Sequence, residues 1–151
     1  MAPVDARRVT GEREALVAAL AVCDMLDRSP TQTMADLQRD LPQTWQSPTM
    51  SPHCADEKKY GIVEEIVKAY QGAAARGEKI AGQSIRDLIT VNGVRVVLED
   101  GTWGLVRASS NKPELVVVVE SPTSEAAQRA IFADIDARLS AFPEVGAYNQ
   151  K

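Results

Sequence analysis

The sequence has few cysteines, one histidine and no long apolar run, and each scarcity excludes a class of protein. Cys23 and Cys54 are the only cysteines, and His53 is the one histidine. A disulfide framework or a tetrahedral zinc site needs more of these residues than the chain supplies. No apolar run reaches the roughly eighteen residues that a membrane-spanning helix needs. The charged first ten residues lack the apolar region of a secretory signal, so we expect a cytoplasmic protein.

Positive charge is scarcer than negative charge. The 151 residues include 17 Lys and Arg against 21 Asp and Glu, which gives a formal net charge of -4. Nucleic acids and anionic membrane surfaces attract basic proteins, so neither is expected as a partner. The length, together with 44% hydrophobic residues, predicts one soluble domain, or one domain plus a fragment.

Residues 1–41 predict two short helices. Apolar residues recur at helical spacing between residues 11 and 29. Thr33 and Asp36 resemble a capping box that opens a second, shorter helix. Two helices cannot bury their apolar faces alone. Their partner is therefore the rest of this chain, a second copy, or a domain outside this sequence.

Residues 42–54 are rich in proline and predict an extended hinge or linker. Pro42, Pro48 and Pro52 disfavour both a helix and a central strand. Within this segment, Trp45 is interpreted as an anchor that holds the linker on a neighbouring surface.

Residues 55–151 follow the pattern of an α+β domain. One helix is predicted from Asp56 to Ala75 and another over residues 124–142, with Thr123 as the N-cap of the second. Four apolar stretches between them predict strands, at residues 85–91, 94–98, 102–106 and 115–119. Their connections are too short for parallel crossovers. The expected fold is therefore an antiparallel sheet of about four strands with two helices packed on one face.

The segment RASSNKP, residues 107–113, separates the last two predicted strands. Arg107 projects from a strand, and its planar guanidinium suits bidentate contact with phosphate or carboxylate. Ser109, Ser110 and Asn111 supply short hydrogen-bond donors, and the turn exposes backbone N–H groups that can converge on an anion. The segment is either a phosphate-binding loop or a solvated turn whose side chains bond to their own backbone.

This loop and its flanking elements resemble the C-terminal domain of the α-D-phosphohexomutases, in the phosphomannomutase/phosphoglucomutase branch. The resemblance is carried by GVRV, EDGTW and GLVRASSNKP, followed by an apolar strand, ES and a helix. It implies a TATA-box-binding-protein-like fold for residues 55–151. It also implies that residues 1–41 are a helical remnant of the preceding domain and that residues 42–54 are the hinge between the two.

The resemblance further implies that the loop binds the phosphate of a phosphosugar. In that family the Arg and Ser of the motif grip the phosphate that is not transferred, which assigns this role to Arg107 and Ser109. Ser110 and Asn111 stand where the family usually has Asn or Gly and then Thr. Lys112 stands at a variable position, where it adds positive potential.

Other family motifs are absent from this sequence. Complete members carry a phosphoserine loop, a DGDGD magnesium site and a sugar-recognition loop on earlier domains, and none of these occurs here. No catalytic or metal-binding residue is therefore expected in this chain. Mg²⁺ and a hexose bisphosphate activator are expected for the full-length enzyme, which would interconvert hexose 1- and 6-phosphates.

Two partners are expected from the resemblance, namely a phosphosugar substrate and the remaining domains of the same enzyme. A competing hypothesis follows from the residues alone. An acidic α+β module with an anion-binding loop and no catalytic group is also typical of a regulatory or adaptor domain, which would bind an anionic ligand or a protein.

Overall fold

The structure is a computed structural model that describes residues 14–29, 33–39 and 41–149. These residues form two compact units, divided after Pro42. The first unit contains α1 (Glu14–Asp27) and α2 (Met34–Arg39). The predicted start of the first helix, at residues 11–13, lies outside the described residues. None of the described helices combines the length and the apolar character needed to cross a membrane.

The predicted capping box opens α2. The Asp36 carboxylate accepts a hydrogen bond from the Thr33 backbone N–H at 2.8 Å, and the Thr33 hydroxyl accepts one from the Asp36 N–H at 3.3 Å. The bonds from the Thr33 backbone and side chain lower the pKa of Asp36. On α1, Leu16 and Leu20 are 64% and 60% exposed. Within the described part of the first unit, α2 therefore leaves an apolar face of α1 uncovered.

The second unit is an α+β domain built on a six-stranded antiparallel sheet, in the order β1-β6-β5-β4-β3-β2. The strands are β1 (Trp45–Gln46), β2 (Lys79–Ile80), β3 (Gln83–Ile89), β4 (Val94–Leu98), β5 (Trp103–Ala108) and β6 (Leu115–Ser121). Two helices, α3 (Asp56–Ala75) and α4 (Glu125–Leu139), pack on one face of this sheet. The predicted class, strand direction and helix placement are confirmed.

The predicted count of about four strands was too low, because two strands of two residues each were missed. β2 pairs with β3 across a tight turn at Ala81 and Gly82, which have φ angles of 50° and 82°. β1 pairs with β6, which is remote in sequence, and places Trp45 opposite Ser121. Two residues are too few to show the alternating pattern that identifies a strand.

The segment predicted to be a linker is extended and runs along the edge of the sheet. Backbone hydrogen bonds join Met50 and Val117 in both directions, at 2.9 and 2.8 Å. The Met50 side chain is 3% exposed. Residues 43–54 thus belong to the second unit and cover the outer side of β6. Prolines are tolerated there because an edge needs fewer backbone donors.

The core lies between the sheet and the two helices. α3 and α4 bury one apolar stripe each, formed by Ile62, Val63, Ile66, Tyr70 and Ala73 and by Ile131, Ile135 and Leu139. Gly104 on β5 permits the close approach of α4, because a Cβ at this position would lie 2.5 Å from Cδ1 of Ile135.

The predicted N-cap of the last helix was wrong by one residue. Ser124 caps α4, since its hydroxyl accepts a hydrogen bond from the Ala127 N–H at 3.1 Å. The Thr123 hydroxyl instead donates to the Asp100 carboxylate at 2.8 Å. Both residue types cap helices well, so the pattern alone did not distinguish them.

Candidate functional site

The polar loop lies at one end of the sheet, where β5 ends and β6 begins. Arg107 is paired with Val116 of β6. The Ser109 N–H donates to the Glu114 carbonyl at 3.0 Å and closes the loop. The structure places all the residues of the predicted site on this loop or at its entrance, namely Arg107, Ser109, Ser110, Asn111 and Lys112.

Arg107 is held on a paired strand, and most of its donors have no partner among the described residues. Its Nη1 donates to the carbonyl of Ala108 at 3.1 Å. Within the described ranges no carboxylate forms an ion pair with it, whereas Arg129 and Arg138 each pair with an acidic residue on their own helix. A guanidinium is always charged and carries several donors in one plane. Arg107 can therefore still accept an anion.

The turn between β3 and β4 lies against Arg107. Gly93 has a φ of 135°, and a Cβ there would overlap the Val106 carbonyl oxygen and lie 2.8 Å from Cβ of Arg107. Only glycine allows both this backbone conformation and this approach. The pattern Asn92-Gly93 predicted a turn, but it did not show that the turn contacts the site.

Ser109 and Asn111 are bonded to each other. Ser109 is 4% exposed, and its hydroxyl donates to Oδ1 of Asn111 at 3.2 Å. A phosphate that contacts this hydroxyl would have to replace the Asn111 oxygen. None of residues 107–113 has a positive φ, so the loop lacks the alternating backbone conformation of an anion nest. The loop would therefore bind an anion mainly through side-chain donors. Of these side chains, Ser110 and Lys112 are exposed.

The loop borders a pocket of about 490 Å³ at the end of the sheet. This volume lies in the range of small-molecule sites. The polar residues of its wall are Tyr60, Glu64, Asn92, Arg107 and Ser110. A ligand in this pocket could therefore form hydrogen bonds with α3, with the β3–β4 turn and with the loop.

The underside of the loop is fixed by α3 and by the segment before it. Lys59 is 3% exposed, and its Nζ donates to the Lys112 carbonyl at 2.9 Å and to Oδ1 of Asp56 at 2.6 Å. The Cys54 N–H donates to the Pro113 carbonyl at 2.9 Å. The loop is therefore supported from below at two successive carbonyls.

The residues around the loop suit ligand binding better than catalysis. Burial, and then the charge of Glu144, raise the pKa of the Cys54 thiol, which disfavours the reactive thiolate. Across the parts of the chain that the structure describes, no three His, Cys, Asp or Glu side chains form a group able to hold a metal ion.

Comparison with protein families gives a match to the phosphoglucomutase/phosphomannomutase C-terminal domain over residues 53–138. Among curated proteins, a phosphopentomutase of Thermococcus kodakarensis is 30% identical over 92 residues, which are 61% of this chain and 19% of that protein. A phosphomannomutase/phosphoglucomutase of Pseudomonas syringae pv. tomato is 29% identical over 119 residues, which are 79% of this chain and 23% of that protein.

A solved structure has the same fold. It is a phosphoglucomutase/phosphomannomutase family protein from Burkholderia thailandensis, with a TM-score of 0.62 and 24% identity, and the match covers 89% of this chain and 25% of that one. This chain spans about a fifth to a quarter of the length of these proteins. The family match covers more than half of this chain. The chain therefore belongs to the phosphoglucomutase/phosphomannomutase family and contains its C-terminal domain.

Proposed function

We propose that residues 107–112 bind the phosphate group of a phosphosugar, with Arg107 as the main charged contact. The observation that carries this is the state of Arg107, which is fixed on a paired strand, without a carboxylate partner among the described residues, beside exposed donors. Such a guanidinium favours bidentate contact with an anion. The two curated relatives described above are named for phosphorylated sugars, but for different ones. That difference supports the proposal that the loop recognises the phosphate group, which these sugars share, and not the sugar itself.

The other loop residues have distinct proposed roles. Ser110 and the amide nitrogen of Asn111 donate hydrogen bonds to phosphate oxygens. Ser109 joins them when its hydroxyl turns from Asn111 to the ligand. Lys112 is exposed and adds positive potential, which salt screens strongly.

For a longer protein that contains this domain, we propose the reaction class of a phosphohexomutase. A phosphoryl group would pass between positions 1 and 6 of a hexose through a bisphosphorylated intermediate. This chain would supply one wall of the cleft. By holding the phosphate that is not transferred, it would set which end of the sugar meets the phosphoserine.

The first unit fits the same proposal. α1 and α2 would be the last helices of the preceding domain, which is consistent with the exposed Leu16 and Leu20. The connection near residue 42 would serve as the hinge, and the cytoplasm is the proposed location.

Mg²⁺ does not fit the residues that the structure describes. The described residues provide no group of carboxylates for a metal ion, so Mg²⁺ and a bisphosphate activator are proposed only for the longer protein. The purified chain should show no mutase turnover with glucose 1-phosphate, Mg²⁺ and a hexose bisphosphate in a coupled assay. Turnover that persists through further purification would contradict this.

The binding proposal is tested by adding glucose 1-phosphate to the isotope-labelled chain and following its amide NMR signals. The amides of residues 107–112 should shift first, and free glucose should leave them unchanged. A few exposed hydrogen bonds against the entropic cost of association give a dissociation constant of about 1 mM or weaker. Arg107→Ala should abolish the shifts.

Two controls separate a shaped site from general attraction. Arg86→Ala removes the same charge from an exposed position on β3 and should leave binding unchanged. Lys112→Ala should weaken binding slightly, and mostly at low salt. Undiminished shifts in Arg107→Ala would overturn the proposal. Equal losses in all three variants would show diffuse attraction in place of a site.

A further inference from the structure

A buried lysine lies directly beneath the candidate loop. Lys59 occupies the first turn of α3 and is 3% exposed. Val63, one turn later, is part of the apolar core and lies on the same face of the helix. Burial of an ammonium group is unfavourable unless it is paired and hydrogen-bonded. An apolar side chain at position 59 would pack without that cost, so the position of this charge requires a reason.

The partners of Lys59 supply that reason. Its Nζ donates to the Lys112 carbonyl at 2.9 Å, and the Glu114 N–H donates to the same carbonyl, also at 2.9 Å. The next carbonyl, of Pro113, accepts from the Cys54 N–H at 2.9 Å. Two successive carbonyl oxygens therefore point into the body of the domain. An oxygen on the outer side of the loop would repel a bound anion.

The charge of Lys59 is only partly offset by its acidic neighbour. Asp56 lies 2.6 Å from Nζ, but its side chain is 64% exposed, whereas the Lys59 side chain is buried. Solvent screens the exposed carboxylate more effectively than the buried ammonium. Asp56 therefore offsets the charge of Lys59 only in part.

We propose that Lys59 is a positioning residue for phosphate binding, an inference that rests on the proposed function of the loop. Lys59 draws the Lys112 carbonyl toward α3, which keeps this carbonyl oxygen away from the outer side of the loop. It also places a buried positive charge under the bound phosphate. The residue does not touch the ligand, and it acts through the backbone of residues 112 and 113.

The test replaces Lys59 by methionine, which keeps the length of the side chain and removes the charge and the donors. Lys59→Met should weaken glucose 1-phosphate binding about tenfold, which corresponds to about 1.4 kcal/mol. The matched control is Lys58→Met, which removes the same charge from the exposed neighbour and should change binding less than about twofold. Amide signals of β4 report whether each variant is folded.

A spectroscopic readout separates positioning from a general loss of structure. The ¹³C resonance of the Lys112 carbonyl should shift in Lys59→Met and stay in place in Lys58→Met, while the β4 signals remain native. Full-strength binding by folded Lys59→Met, or an unmoved Lys112 carbonyl resonance, would overturn the positioning role.

The experiments distinguish a failure of the proposed phosphate-binding function from a failure of the positioning role of Lys59. If the unaltered chain does not bind glucose 1-phosphate, the phosphate-binding function is wrong, and the carbonyl resonance still shows whether Lys59 holds the loop. If Lys59→Met does not fold, the positioning role is tested on the unaltered chain by NMR. Its Lys59 ammonium signal should show coupling to the Lys112 carbonyl and should shift on addition of glucose 1-phosphate. Absence of both effects would overturn the inference.

Discussion

The two ends of the sheet are both polar but use their polar residues in opposite ways. At the closed end, formed by Asp100, Thr102, Ser121 and Thr123, the side chains bond to one another. The Asp100 carboxylate accepts from the Thr102 N–H and hydroxyl at 2.8 and 2.9 Å and from the Thr123 hydroxyl at 2.8 Å. The Ser121 and Thr102 hydroxyls lie 2.8 Å apart. At the loop end, residues 107–113, most donors of Arg107 and the side chains of Ser110 and Lys112 have no such partner among the described residues.

The difference shows how to separate structural from functional polar residues of the same types. A cluster whose members satisfy one another lowers the free energy of the folded state and leaves little for a ligand. A loop that is fixed from below but keeps its outer donors free is ready for a ligand. Residue composition at the two ends does not reveal this, because both contain small hydroxyl-bearing side chains.

The largest expected effect is at the loop end. Gly93→Ala should reduce the free energy of unfolding by about 2–4 kcal/mol, since the new methyl meets backbone atoms of Val106 and Arg107 and the φ of 135° is strained for alanine. Gly82→Ala is the control, because Gly82 has a φ of 82° but nothing within 4 Å of the added Cβ. It should cost about 1 kcal/mol. If denaturant unfolding gave the same loss of free energy for both variants, the close contact between Gly93 and Arg107 would not matter for stability.

The next effect concerns the closed end and depends on pH. Burial acts to raise the pKa of Asp100, but hydrogen bonds from Gln83, Thr102 and Thr123 outweigh it and lower the pKa from 3.8 to about 2. Because the folded pKa is below the unfolded one, the stabilisation is complete above about pH 4 and is lost as pH falls toward 2. It should amount to about 1–2 kcal/mol, since the carboxylate is partly exposed to solvent.

Asp100→Asn tests this dependence. The variant should be less stable than the parent at pH 7, and the difference should narrow as the pH approaches 2. Glu99→Gln removes the same charge from the exposed neighbour and should show no such narrowing. If the stability difference between Asp100→Asn and the parent did not change with pH, Asp100 would not be the source of the pH dependence.

The smallest expected effect compares the same substitution at both ends. Ser121 is fully buried, and its hydroxyl also accepts the Thr123 and Ser124 N–H groups at 3.1 and 3.3 Å. Ser121→Ala should cost about 1 kcal/mol. Ser110→Ala, at the exposed loop end, should change the free energy of unfolding by less than about 0.5 kcal/mol. A reversed order in thermal unfolding would break the distinction between the two ends.

Much of the second unit could be predicted from local pattern. The helix Asp56–Ala75 and the four longer strands show spacing that depends only on neighbours in sequence. β1 and the edge segment could not be predicted in this way, because their partner, β6, lies about seventy residues later. The candidate loop residues were found because their types and order form a motif, and their role in binding stays a prediction.

Lys59 and Gly93 were not recognised as parts of the site. Their contribution depends on contacts with the loop from other elements, which no local pattern shows. One signal was present for Lys59, which precedes the core residue Val63 by four positions and so lies on the buried face of its helix. A charged residue in that stripe indicates a buried partner.

The edge segment has a consequence for handling the domain. β6 contains the run of four valines at residues 116–119, and residues 45–53 pair with its outer side. A boundary chosen from the family match would begin at residue 53 and would remove most of this cover. An apolar strand with unpaired backbone groups is a template for intermolecular pairing and aggregation. The proline-rich segment covers this edge, and we expect a shortened protein that lacks it to aggregate although its helices and central strands are complete.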